Sequence, residues 1–154
     1  MSKYSTGLCN MLMGGVAGEG SFKQIVDGNF KLMIYSGTPP AAADDALGSL
    51  GTNNLLVTVD NAGSEVTLDS AAAAGTIAKN PGETWSGTIT GAGTQTATFW
   101  RFQTTADDGL LDTTEPRVQG LISTGGTEAV VGSTSLTNGA TFTVNYFTES
   151  LLPT

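Results

Sequence analysis

Apolar residues recur at every second position along much of this chain. Leu55, Val57 and Val59 alternate with Leu56 and Thr58, and Phe142, Val144 and Tyr146 alternate with Thr141, Thr143 and Asn145. A period of two is the mark of a half-buried strand. Phe30 to Tyr35 reads as a third strand, stopped by Ser36-Gly37-Thr38-Pro39-Pro40, where the prolines end pairing and stiffen the exit. Asn61-Ala62-Gly63-Ser64 turns the chain into Val66-Thr67-Leu68, and the small residues Ala71 to Ala74 lead to Gly75-Thr76-Ile77-Ala78. Two aromatic strands follow, one around Trp85 (Gly82 to Thr90) and one from Thr96 to Phe102, separated by Gly91-Ala92-Gly93.

The first twenty residues break this pattern. Leu8, Met11 and Leu12 fall at i, i+3 and i+4, which predicts a short amphipathic helix capped by Ser5 or Thr6 and ended by Gly14-Gly15. The glycine-rich piece from Gly14 to Gly20 would let that helix swing. Residues 1–20 therefore read as an N-terminal arm, and residues 21–154 as one β domain. On this reading Leu8, Met11, Leu12 and Met13 are the candidate partner contacts, because methionine-rich apolar surfaces adapt to what they touch. The competing reading folds the helix against its own domain. A second short helix is expected after Ser21, with Phe22, Ile25 and Val26 on one face and Gly28 as its stop.

Short strands, closely spaced turn signals and little helix predict a mainly β fold, an antiparallel sandwich or jelly roll. A chain of 154 residues is one domain with room for a real core. Threonine outnumbers even glycine, in keeping with strands and turns. Charged residues are only 13% of the chain, so such a fold has few charges to guard its edges and could use a neighbouring subunit to cover them instead.

The net charge is −8, and Lys3, Lys23, Lys31, Lys79, Arg101 and Arg117 are scattered. No basic stripe follows a phosphate backbone, so nucleic-acid binding is not expected, nor is docking on anionic lipid. No apolar run reaches membrane-spanning length, and the N-terminus does not read as a signal peptide. Cys9 is the sole cysteine, expected as a buried or interface thiol.

Histidine is absent, which excludes Ser-His-Asp and Cys-His mechanisms and the commonest metal ligand. Neither a phosphate-cradling loop nor a dinucleotide fingerprint occurs, and no cofactor is expected. Asp107, Asp108, Asp112 and Glu115 could offer oxygens to calcium, although their spacing is not that of an EF-hand and a plain acidic turn is the simpler reading. Glu83 beside Trp85 could serve a glycosidase as acid and sugar platform, but Trp85 alternates with small residues as a core aromatic would. Arg101 should point away from the flanking rings and could pair with an acid such as Glu115 or Asp108, internally at the surface or on a neighbouring subunit.

Several segments occur together in order: Ser5-Thr6-Gly7-Leu8, Leu32 to Pro40 with Ala41-Ala42-Ala43-Asp44, Gly82 to Gly87, Ala97 to Phe102, and Pro116-Arg117-Val118-Gln119-Gly120. In this set the chain resembles small structural proteins of tailed bacteriophages, the head decoration or cement proteins. The resemblance implies a non-enzymatic, acidic or neutral β domain, made in the host cytoplasm and carried on the outside of the head. It implies binding to the major capsid protein and assembly as a homo-oligomer, with a trimer favoured. A tail, collar or fibre component is the alternative virion location. A carbohydrate-binding module stacking sugars on Trp85, Trp100 or Tyr35 is the alternative from another class.

Overall fold

A computed structural model describes residues 2–14, 20–27, 29–47, 53–125 and 129–150. In chain order the elements are β1 (Lys3–Tyr4), α1 (Thr6–Leu12), α2 (Phe22–Val26), β2 (Phe30–Ser36), β3 (Asn54–Asn61), β4 (Thr76–Ala78), β5 (Trp85–Thr88), β6 (Thr94–Thr96), β7 (Phe99–Thr104), β8 (Arg117–Ser123), β9 (Ala129–Val131), β10 (Ser135–Thr137) and β11 (Thr141–Ser150). The protein is mainly β.

The ladders do not draw the expected sandwich or jelly roll. β8 pairs with β7, β7 with β2, β2 with β3, β3 with β5, β5 with β11, β11 with β9, and β9 returns to β8. Seven strands thus form a closed ring. A ring with an odd number of strands cannot alternate direction all the way round, so one junction must be parallel. That junction is β8–β9, where Ile122 faces Ala129 and Ser123 faces Val130. β1 extends β8 and β4 extends β11, while β6 and β10 form a separate two-stranded ribbon.

Closure depends on β11, whose length serves three partners in turn: β5 through Thr141–Thr143, β9 through Val144–Phe147, and β4 through Thr148–Ser150. The register shifts between Val144 and Tyr146. A bulge there bends the strand and sharpens its twist, which helps a sheet to curl shut. The shift also breaks the period of two: Phe142 and Val144 are buried, Tyr146 is half exposed, and Phe147 is turned into the core. Between Thr96 and Phe102 the chain leaves the β6 ribbon at Ala97-Thr98 and enters the barrel, so the single strand expected there is two. Val66 to Leu68 makes only an isolated bridge, from Leu68 to Lys79.

Phe147 is the centre of the barrel interior. Its ring lies 5.4 Å from Trp85, 5.2 Å edge-on from Trp100 and 5.6 Å from Phe102, which in turn meets Phe30 at 5.5 Å. Leu32, Ile34, Val57, Val59 and Val118 fill the space around these rings. Tilted, stacked and edge-on aromatic pairs stabilise beyond the area they bury. Gly87 lets β5 approach β3 closely, since a Cβ there would stand 2.1 Å from the Thr58 carbonyl oxygen.

Both helices are capped as their sequences predict. Ser5 Oγ accepts from Leu8 N at 3.1 Å and Ser21 Oγ from Gln24 N at 3.2 Å. Phe22, Ile25 and Val26 of α2 pack into the core. Gly15 and Gly28, expected as helix stops, lie outside the described residues, while Gly14 takes the left-handed φ of +85° that ends α1.

Candidate functional site

The outer face of β7 and β8 is polar but covered. Arg101, Gln103, Arg117 and Gln119 point away from the aromatic core, yet all four are buried. A strap over residues 37–47 lies across them, and its backbone carbonyls meet their donors. Gln119 Nε2 donates to Pro40 O at 2.7 Å, and Lys3 Nζ donates to Ala41 O at 2.8 Å. Arg101 Nη2 donates to Asp45 O at 3.1 Å and to Gln119 Oε1 at 2.8 Å. Arg117 Nη1 reaches Asp44 O at 3.2 Å.

A second loop, residues 105–116, locks onto the strap. Leu47 N donates to Gly109 O and Asp112 N to Asp44 O. Below them Arg117 forks onto Asp107, with Nε at 2.5 Å from Oδ2 and Nη2 at 2.6 Å from Oδ1, and both side chains are fully enclosed. Burial works against the Arg117 charge, but the Asp107 hydrogen bonds and charge outweigh it and raise the guanidinium's affinity for its proton. Among the described residues Arg101 has no such carboxylate. Burial, then the neighbouring Arg117 charge, lowers its proton affinity, and its Nε and Nη1 have no hydrogen-bond partner among the described residues. The expected surface pair of Arg101 with Glu115 or Asp108 is therefore corrected: Arg101 is a buried strap-holder, and Arg117 takes the aspartate. Beside it Tyr35 stacks on Phe99 at 5.1 Å, and burial pushes its phenol up to about 12.

The segment predicted as an arm is attached to this face. β1 pairs Lys3 with Gln119 and Tyr4 with Val118. Thr6 N and Oγ1 both bond the Asp44 carboxylate, at 2.8 and 2.6 Å. Gly7 presses on the second loop so closely that a Cβ would lie 2.2 Å from Thr114 O. Leu8 is wholly buried in the chain's own core, and Met11 and Leu12 pack against the same core. Leu8 as a partner contact is thus corrected in favour of the helix folded on its own domain. Met13 alone of the four candidates is openly presented, at 88% exposure, and Cys9 is exposed rather than buried.

The sharper chemical ideas find structural explanations. Glu83 is occupied on both oxygens: Oε2 accepts from Thr67 N at 2.9 Å and Trp85 Nε1 at 2.8 Å, and Oε1 accepts from Thr67 Oγ1 at 2.6 Å. Burial alone would raise its carboxyl, but these bonds and Lys79 hold it below the usual range. Trp85 and Trp100 are fully buried and Tyr35 nearly so, so none offers a sugar a face. In the acidic loop Asp107 turns inward to Arg117, whereas Asp108 and Asp112 bind backbone N–H groups of their own turns. Among the described residues no group of three or more Asp, Glu or Cys side chains gathers as a metal would require.

Sequence reasoning passed over Leu110 and Leu111, which stand 61% and 70% exposed at the tip of the 105–116 loop. Two adjacent leucines between aspartates were the available signal. No helix among the described residues is long and apolar enough to cross a membrane.

No protein-family model, no curated protein and no solved structure matches this chain.

Proposed function

We propose that this chain is a decoration (cement) protein of a tailed-phage head, binding the major capsid protein on the outer face of the shell and stabilising it without catalysis. The observation that carries the reading is the ordered set of segments from Ser5 to Gly120 that resembles such proteins. The positions of those segments support it physically. Ser5 and Thr6, Pro40 to Asp44, Arg101, Arg117 and Gln119 from these segments meet in one strapped, multiply bonded face. A rigid closed barrel of this kind suits a clamp, because it keeps its shape while the surfaces it bridges are pulled apart. The acidic balance supports solubility before assembly. Oligomerisation, with a trimer favoured, belongs to the same proposal.

Quantitative mass spectrometry of purified virions tests it. Copies in proportion to the major capsid protein are expected. Copies in proportion to a tail or vertex component would move the chain to the collar, tail or fibre, and absence from the particle would refute a virion role.

A further inference from the structure

The leucine pair at 110–111 is exposed on a loop that is otherwise tightly built. Asp107 Oδ1 accepts from Gly109 N at 2.7 Å and Asp108 Oδ1 from Leu110 N at 2.9 Å. Asp112 Oδ1 accepts from both the N–H and the hydroxyl of Thr114 at 2.6 Å. Gly109, at φ +73°, sits against Leu47, and Leu47 N bonds its carbonyl at 2.9 Å. The loop thus holds two apolar side chains out in water on a pinned backbone. Such a backbone loses little further freedom when the leucines are buried against something else.

The surroundings say what that something is. Asp44, Asp45, Asp108, Asp112 and Glu115 all lie in the two interlocked loops. The cations beneath them, Arg101 and Arg117, are buried and engaged with the strap and Asp107. The leucines are therefore an apolar knob on a pair of acidic loops, flanked in the chain by Asp108 and Asp112. A matching receptor is an apolar pocket rimmed by lysine or arginine, since complementary charge steers encounter and fixes register.

We infer that Leu110 and Leu111 are the docking knob of this protein, inserting into a basic-rimmed apolar pocket on the major capsid protein. The inference rests on the decoration reading above. Buried apolar anchors at the centre of a contact carry most of its affinity, while the charged rim governs the rate of association.

The test is co-sedimentation of the full chain with empty expanded shells assembled from the phage's major capsid protein. Leu110→Ser/Leu111→Ser should leave the circular dichroism and melting temperature unchanged and weaken binding by more than about tenfold. Asp108→Asn keeps an acceptor for Leu110 N but removes a flanking charge, so it should slow association and flatten its dependence on salt. Should the double variant melt early, Leu111→Gln alone carries the same expectation. A double variant that binds like wild type overturns the knob and leaves the decoration reading intact. Wild-type chain that fails to sediment with shells overturns both.

Discussion

Leu8→Ala separates a domain-integral N-terminus from a swinging arm. Leu8 has no exposed surface and belongs to the main core cluster. Truncating a buried leucine removes its transfer free energy and leaves a cavity, together about 2–5 kcal/mol. The upper half of that range is expected here, because the site cannot easily collapse. Its neighbour Gly7 is already in contact with the Thr114 backbone, and Ser5 on the other side bonds both Arg117 N, at 2.8 Å, and Glu115 O, at 2.8 Å. Domains are stable by only about 5–15 kcal/mol, so the loss would be a large part of the whole. Urea unfolding followed by the two buried tryptophans measures it, and with a slope of roughly 1–3 kcal/mol/M the midpoint should fall by about 1 M or more. Met13→Ala, at an exposed position on the same segment, should stay within about 0.5 kcal/mol of wild type. If Leu8→Ala also stays within that margin, the packing of α1 onto the barrel is wrong and the arm returns.

Three other outcomes follow from the buried polar groups. Asp107→Asn leaves the enclosed Arg117 charge without its carboxylate and should cost about 3–5 kcal/mol by urea unfolding; a cost below 1 kcal/mol would mean the pair is not buried. Glu83 has a folded-state carboxyl below its ordinary value of 4.5, so it contributes stability above that pH that is lost as pH falls through the lower folded value. Glu83→Gln should flatten the acid limb of the stability curve, and an unchanged limb would contradict its hydrogen-bonded role. The Tyr35 phenol, raised by burial from 10.0 to about 12, stays protonated in the folded state where the unfolded phenol ionises. Its contribution is complete below pH 10 and is lost as pH rises towards 12. Phenolate absorbance of the folded protein should therefore include a late step that Tyr35→Phe removes.

Local features of this fold were readable in the residues, and long-range ones were not. Ser5 and Ser21 announce their helices because a cap is satisfied within three residues. The strand at Phe30 to Tyr35 and the alternation around Val57 and Val59 are likewise local. Ring closure is invisible because β9 has only three residues, too few to show a period, and because the β11 bulge shifts Tyr146 and Phe147 out of phase. Arg101 looked like a surface residue because its cover, the strap, lies more than fifty residues earlier in the chain. The exposed leucines were legible as residues but not as a site, since only the folded loops show them left in water on a backbone locked to the strap.

The charge balance gains its meaning from this arrangement. Lys3 and Arg101 are committed to strap carbonyls, Arg117 to Asp107 and the strap, Lys23 to Asp27 and Leu68 O, and Lys79 to the carbonyls of Asn80 and Glu83. Five of the six basic residues thus hold the fold together, and two of those are enclosed. Acidic residues are more than twice as many, and most of those described are half-buried. The two enclosed cations are matched by two enclosed acids, Asp107 and Glu149, so the net charge of −8 falls on the rest of the chain. An acidic balance of this kind favours solubility, and a basic-rimmed receptor would attract it. Association with that receptor should weaken steeply as salt rises, whereas stability of the isolated barrel, whose enclosed ion pair is shielded from salt, should change little.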